Sequence, residues 1–298
     1  MSLKSIGDEY HMGQQRLKGE IHLVTGATSG IGRIVALELA KLGAGVIVAS
    51  RSETKCAATV EWIIERTQNS VVDYAVVDLA DLEDIRRFTD HIQDRYKRLD
   101  VLINNAGGFF LTRKENSTGI EMTFALNHLG YFSTSLLLLD LLQKSTPARI
   151  INVSSGSHRN SQMHFDDIQF ERRYRPFEAY GQSKLANILF TQELARRLDP
   201  SRVTVNALHP GFIATDIASD NGLIGTIVAP LMRLFAKRPE EGAETPVYLA
   251  SADEVEGVTG KYFVDCESIP AAPHSYDEQA ERRLWEISLE LTGLDDPT

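Results

Sequence analysis

The sequence predicts an α/β chain, a single doubly wound domain around a parallel, seven-stranded sheet, and three observations carry the prediction. Short β-branched runs alternate with longer segments whose apolar residues recur at spacings of three and four, the pattern of repeated βαβ units. The strand runs are near-continuously apolar rather than alternating, as strands covered on both faces must be. No internal repeat, low-complexity tract or linker breaks the alternation, so the 298 residues read as one unit rather than two.

Each element has its own signal. Strands are expected at 21–24, 46–49, 71–77, 101–103, 149–153, 203–208 and 262–264, and crossover helices at 31–41, 54–67, 82–96, 123–142 and 180–198. Residues 1–17 form an N-terminal extension and 18–298 the domain. Two stretches break the rhythm: 158–178 is polar, aromatic and basic, and 217–238 is apolar with Gly222 and Gly225 but no clear strand. Each comes after a strand end, where open parallel sheets bind ligands, so 156–178 and 216–240 are expected to be substrate loops, the second a mobile lid with a greasy face.

Composition narrows the partners. With 43% hydrophobic and 24% charged residues the chain can build a packed core and lacks the signature of disorder. A net charge of −10 argues against nucleic acid or anionic lipid as a partner. Two cysteines, Cys56 and Cys266, cannot make a disulfide framework or a multi-cysteine metal site, which fits a cytoplasmic protein. The first 19 residues lack the apolar core of a signal peptide, and no apolar run reaches the roughly 20 residues of a membrane span, so a soluble protein without a membrane anchor is expected.

The first strand runs into Thr25-Gly26-Ala27-Thr28-Ser29-Gly30-Ile31-Gly32 and directly on into a helix. Gly26 permits a tight turn, Gly30 close approach of the backbone to a ligand, and Gly32 close packing of helix on strand. The free N–H groups of that first helical turn, over Thr28, Ser29 and Ile31, together with the helix dipole, suit a pyrophosphate. A glycine triplet alone could be only a tight turn; its position at the first βα junction favours a dinucleotide. The second strand ends Ala49-Ser50-Arg51. An NAD site usually places a carboxylate here, whereas neutral Ser50 and the planar donor fork of Arg51 suit a 2′-phosphate, so NADP(H) is expected over NAD(H). Arg33 could reach the same phosphate from the helix, or either arginine could be a solvated surface charge.

Moving a hydride to a carbonyl requires a proton donor beside the forming alkoxide. Tyr180 and Lys184, four apart in Tyr180-Gly181-Gln182-Ser183-Lys184, face the same way on one helix, so the ammonium can lie near the phenol and lower its pKa. Ser155, just past the strand at 149–153, adds a hydroxyl for the substrate oxygen. Ser154 stands beside it with the weaker claim. His158, His164 and His209 lack metal-ligand spacing and read as ordinary loop histidines. Tyr174 and Phe177 either line a substrate pocket or merely cover the sheet.

These residues in this order resemble the short-chain dehydrogenase/reductase family: the Thr25–Gly32 glycine turn, Asn104-Asn105-Ala106-Gly107, the strand-end serine and Tyr180-x-x-x-Lys184. The resemblance implies a Rossmann-type fold, with Asp78 and its neighbour Leu79 beside the adenine and Asn105, Ala106 and Gly107 along the cofactor. It also implies Asn127 holding a water in a proton relay with Lys184, and Pro210, Gly211, Ile213 and Thr215 around the nicotinamide. Tyr180 and Lys184 then serve both catalysis and cofactor binding. The likeness is greatest to the retinol dehydrogenase and WW-domain oxidoreductase branch, through Leu126-Asn127-His128-Leu129-Gly130, Ala179 to Asn187, His209-Pro210-Gly211, Gly260-Lys261-Tyr262-Phe263 and a helix ending Leu284-Trp285. The apolar N-terminal anchor of many retinol enzymes is missing, a departure that bears on the substrate. The implied activity is that of an oxidoreductase for a small apolar carbonyl or alcohol. It is set against a non-catalytic nucleotide-sensing interaction protein, and against a double-bond reductase on the same scaffold. A homo-oligomer, dimer or tetramer, is expected, with helices 123–142 and 180–198 packing across a two-fold.

Overall fold

A computed structural model describes residues 16–211 and 238–298. Most of the N-terminal extension, the expected nicotinamide neighbours Ile213 and Thr215 and nearly all of the expected lid lie outside the described residues.

The strands are β1 (Ile21–Thr25), β2 (Gly45–Ser50), β3 (Val72–Val76), β4 (Val101–Asn104), β5 (Ala148–Val153), β6 (Val203–His209), β7 (Tyr262–Val264) and β8 (Glu267–Ile269). They form one sheet in the order β3-β2-β1-β4-β5-β6-β7-β8, parallel throughout except that β8 runs antiparallel to β7. Nothing in the sequence marks β8, because three residues that are mostly exposed carry neither apolar run nor alternation. It exists through a two-residue turn at Asp265 and Cys266, both at positive φ (48° and 64°), the backbone form that joins adjacent antiparallel strands.

Strand alternation divides the core into two layers. Leu23, Ile47, Leu102 and Ile150 face one cluster, while Val24, Val46, Val48, Ile103 and Ile151 face the other. The second cluster is closed by α1 (Gly30–Lys41), α2 (Glu53–Thr67) and α6 (Pro239–Ser251). On the first lie α3 (Leu82–Arg95), α4 (Gly130–Leu137), α5 (Pro176–Arg197) and α7 (Glu278–Thr292). Local chemistry sets the helix ends: Ser52, Asp81 and Asp277 accept backbone N–H bonds as N-caps, Pro176 opens α5, and Gly293 closes α7 at φ 57°.

Three helical expectations are corrected. The segment 123–142 is not continuous: a turn at Met122–Phe124 runs into a π-helical turn at Ala125–Leu129, then α4, then a short helix at Leu139–Gln143. Apolar spacing cannot tell a π-turn from an α-turn, since it adds only one residue per turn. Helix α5 begins four residues before Tyr180, so the tyrosine lies inside it. Helix α7 continues past Leu284-Trp285 to Thr292, and residues 239–240 of the expected second loop belong to α6.

Helix α7 also occupies the face on which α4 and α5 were expected to meet a second copy. Trp285 packs against Phe132 (5.1 Å between ring centroids) and Phe190 (6.2 Å), and Arg197 lies 4.2 Å over its indole. Glu281 pairs with Arg196, and His128 Nε2 lies 2.9 Å from Ser288 Oγ. Along this stretch α7 covers part of the α4–α5 surface. No helix among the described residues is long and apolar enough to cross a membrane.

Candidate active site

The strand order reverses between β1 and β4, and both strands end at the same point, where a doubly wound sheet opens a crevice. The glycine turn leaves β1 and Asn105-Ala106-Gly107 leaves β4. Thr25 ties them: its Oγ1 donates to the Ile103 carbonyl and accepts from Asn105 N (2.9 Å) and Ala106 N (3.1 Å). Asn105 Nδ2 returns a bond to the Thr25 carbonyl at 2.8 Å. The Asn105 side chain therefore braces the turn. A Cβ on Gly32 would come within 2.4 Å of Asn105 Nδ2 and 2.6 Å of the Gly26 carbonyl oxygen, and one on Gly26, at φ 65°, within 2.8 Å of Ala106 Cα. Only glycine fits either place.

Ser29 is the N-cap of α1 and its side chain makes no capping bond, while Ile31 turns into the core. Thr28 Oγ1 donates to Ser50 Oγ at 3.1 Å, joining the turn to the end of β2. Arg51 is exposed just beyond. The Arg33 guanidinium lies 3.9 Å over the Trp62 ring, and Arg66 lies over the same ring at 4.6 Å. Asp78 spends Oδ1 on Ala80 N, and Leu79 is buried with its carbonyl against Gly130, where a Cβ would come to 2.6 Å. Beyond β6, Gly211 sits at φ 89° after Pro210.

The residues expected to transfer the proton meet at the ends of β4 and β5. Helix α5 is fastened to β5 by Ser154 Oγ donating to the Lys184 carbonyl (2.7 Å) and by Lys184 Nζ donating to the Val153 carbonyl (3.0 Å). Deeper in, Asn104 Nδ2 donates to Asn152 Oδ1 and Ser135 Oγ, and Asn152 Nδ2 to Thr191 Oγ1, each at 2.9 Å. Ser154 thus has a structural bond and is buried, leaving the half-buried Ser155 as the hydroxyl at the Tyr180 phenol. Asn127, in the π-turn, clasps Gly108 with both amide atoms: Oδ1 accepts from its N–H at 2.8 Å and Nδ2 donates to its carbonyl at 2.9 Å. A Cβ on Gly107 would lie 3.3 Å from Asn127 Oδ1 and 3.5 Å from Lys184 Nζ, so the segment leaving β4, Asn127 and Lys184 border one space.

Burial sets the charges. It pushes the Tyr180 phenol up to about 12, with the Ser155 hydrogen bond opposing, and the Lys184 ammonium down to about 7. The Lys184 Nζ lies 5.9 Å from the Tyr180 ring centroid and 5.3 Å from that of Tyr131. The expectation that the cation lowers the phenol is reversed here: burial raises it, opposed only by the Ser155 hydrogen bond.

Phe109 borders the candidate site, and the sequence alone does not single it out. Its ring meets Tyr180 edge-on at 5.7 Å and Phe177 at 5.1 Å, and Phe177 is 78% exposed. Its only sequence signal is an aromatic pair directly after Asn-Asn-Ala-Gly-Gly. Tyr174 is used structurally, its hydroxyl donating to the Phe110 carbonyl (2.9 Å). His164 packs on Phe170, His158 on Tyr262, and the His209 ring lies against Gly156. Among the described residues no group of three or more His, Cys, Asp or Glu side chains is arranged to hold a metal ion.

The family model for short chain dehydrogenases matches residues 20–222. Human retinol dehydrogenase 13 is 44% identical over 288 residues, covering 95% of this chain and 87% of that protein. Among solved structures, an uncharacterised protein from Mycobacterium paratuberculosis superposes with a TM-score of 0.77 at 32% identity, over 96% of this chain and 97% of its own. A short-chain dehydrogenase from Escherichia coli crystallised with NADPH superposes at 0.68 and 27% identity, over 85% of this chain and 99% of its own.

Proposed function

The chain belongs to the short-chain dehydrogenase family, and on that premise we propose that it is an NADP(H)-dependent oxidoreductase. It passes a hydride between nicotinamide and the carbonyl or alcohol carbon of an apolar substrate, with Tyr180 exchanging the proton. The observation that carries this reading is the convergence of Tyr180, Lys184, Ser155 and Asn127 at the crevice that opens beside the glycine turn.

The residues fit a dinucleotide phosphate. The places at Gly26 and Gly32 that a Cβ would fill let the backbone turn tightly under α1, whose first N–H groups and dipole favour pyrophosphate. At the end of β2 the neutral Ser50 and exposed Arg51 suit a 2′-phosphate, in keeping with the NADPH bound to the Escherichia coli protein. When bound, the reduced cofactor supplies two electrons and a proton as hydride. The chain supplies the second proton. In reduction, Ser155 Oγ and the Tyr180 phenol donate hydrogen bonds to the substrate oxygen, and the phenol proton passes to it as negative charge develops. A phenol held neutral by burial is ready to donate. Lys184, titrating near neutrality, is the group that can resupply that proton, and Asn127 holds the wall opposite it.

The apolar substrate rests on Phe109 and Phe177, which present aromatic surface next to the reacting hydroxyl, and on the likeness to a human retinol dehydrogenase. A cytoplasmic site of action fits two cysteines that are both free. The test is NADPH oxidation against matched aldehydes, ketones and activated alkenes of increasing apolar length. Turnover of the carbonyl compounds, lost in Tyr180→Phe, is expected. Turnover of the alkenes alone would overturn the reading.

A further inference from the structure

His158 is fully buried beside the site and takes no part in the chemistry proposed above. It lies in the 3-10 turn Gly156–Asn160 that comes after Ser155. Its Nδ1 is 2.7 Å from the Ser155 carbonyl oxygen, and its Nε2 is 3.2 Å from the backbone nitrogen of Ala272. A carbonyl only accepts and a backbone N–H only donates. Both contacts therefore require the same neutral tautomer, with the proton on Nδ1 and the lone pair on Nε2. Burial, which holds this imidazole below its ordinary pKa, favours that neutral form.

We propose that His158 is a positioning residue for Ser155, fixing the serine peptide through Nδ1 and anchoring the whole turn to the C-terminal segment through Nε2. The Ser155 carbonyl accepts from His158 twice, from Nδ1 and from the backbone N–H at 3.2 Å, so the plane of that peptide is held from two directions. The Ser155 side chain is carried on the same residue and accepts from Ser157 N at 3.2 Å inside the same turn. Rotation of the peptide would swing the hydroxyl away from Tyr180. The anchor is built from the far side as well: His274 Nε2 lies 3.0 Å from the His158 carbonyl oxygen, and the Tyr262 ring packs edge-on to the imidazole at 5.0 Å. Both nitrogens are thus partnered, from opposite segments, in one tautomer. The role rests on the reading of Ser155 as the hydroxyl that meets the substrate oxygen.

Two variants separate the nitrogens. In His158→Asn the amide nitrogen can stand where Nδ1 stood and keep the bond to Ser155, while the acceptor for Ala272 is lost. In His158→Gln the amide oxygen can stand where Nε2 stood and keep Ala272, while the bond to Ser155 is lost. With NADPH and an apolar aldehyde turned over by the parent enzyme, kcat should fall about 10–100-fold in His158→Gln and stay within about threefold in His158→Asn. The Kd for NADPH should hold in both, and the melting temperature should fall more in His158→Asn. In a Ser155→Ala background, His158→Gln should cost nothing further. Equal losses of kcat in the two variants, or a Gln penalty that persists in full without the serine hydroxyl, would overturn the positioning role. A Ser155→Ala enzyme with parental kcat overturns the assignment of the serine itself, a result visible before any histidine variant is made.

Discussion

Replacing Tyr180 by Phe isolates one oxygen atom. The ring packs edge-on to Phe109 at 5.7 Å and keeps that contact. The lost hydroxyl has Ser155 as its hydrogen-bonding partner, and Ser155 retains Ser157 N and Ser157 Oγ, both at 3.2 Å. Stability should therefore change by no more than one net hydrogen bond, about 0.5–1.5 kcal/mol. The chemical step loses its only assigned proton donor, which is typically worth about 10²–10⁴ in rate, or roughly 3–5 kcal/mol of barrier. Single-turnover loss of the reduced-nicotinamide absorbance on an aldehyde substrate reads the step, and quenching on NADPH titration reads binding. Turnover should collapse with NADPH affinity intact. Lys184→Ala, by contrast, should weaken both, since Lys184 Nζ borders Gly107 on the cofactor side as well as the Tyr180 ring. Near-normal turnover in Tyr180→Phe would refute the mechanism and leave fold and family standing.

Other parts of the structure carry their own expected outcomes. The double variant Ser50→Asp/Arg51→Ala should reverse the preference for NADPH over NADH, read as the ratio of kcat/KM values, because it adds a repelling carboxylate and removes the donor fork; an unchanged ratio would mean the cofactor is selected elsewhere. Lys184→Met should abolish turnover yet stabilise the protein at pH 7 by about 1–4 kcal/mol in urea unfolding. Burial lowers the folded-state pKa of Lys184 to about 7, so between that value and the ordinary lysine value the unfolded chain binds more protons. Parental stability consequently rises with pH across this window and the advantage of Met shrinks; a constant difference would contradict the buried ammonium. Trp285→Ala should cost about 3–5 kcal/mol by opening a cavity between Phe132 and Phe190, measured in the same urea titration.

The parts of the molecule readable from sequence share one property: their physics is local or periodic. The first seven strands come from buried apolar runs, and the glycine turn from backbone geometry no other residue fits. Tyr180 and Lys184 are legible because four residues make about one helical turn. The features that escape depend on partners far away in sequence. The break of 123–142 into a π-turn answers to Gly108, which takes both amide atoms of Asn127 from 19 residues away. The Tyr180 pKa is set by burial that no spacing reveals, and that burial outweighs the lowering expected from Lys184.

Helix α7 shows how far such distant pairings can redirect an inference. From sequence, two long amphipathic helices suggest surfaces seeking a second copy. In the folded chain their shared face is filled by Trp285, far along the chain from the Phe190 it stacks on, and flanked by Arg196–Glu281 and His128–Ser288. The same helix therefore backs the π-turn that carries Asn127 and the helix that carries Tyr180. That face supports the candidate site from behind, and the C-terminal segment reaches it twice, through α7 at His128, next to Asn127, and through Ala272 at His158, which bonds the Ser155 carbonyl.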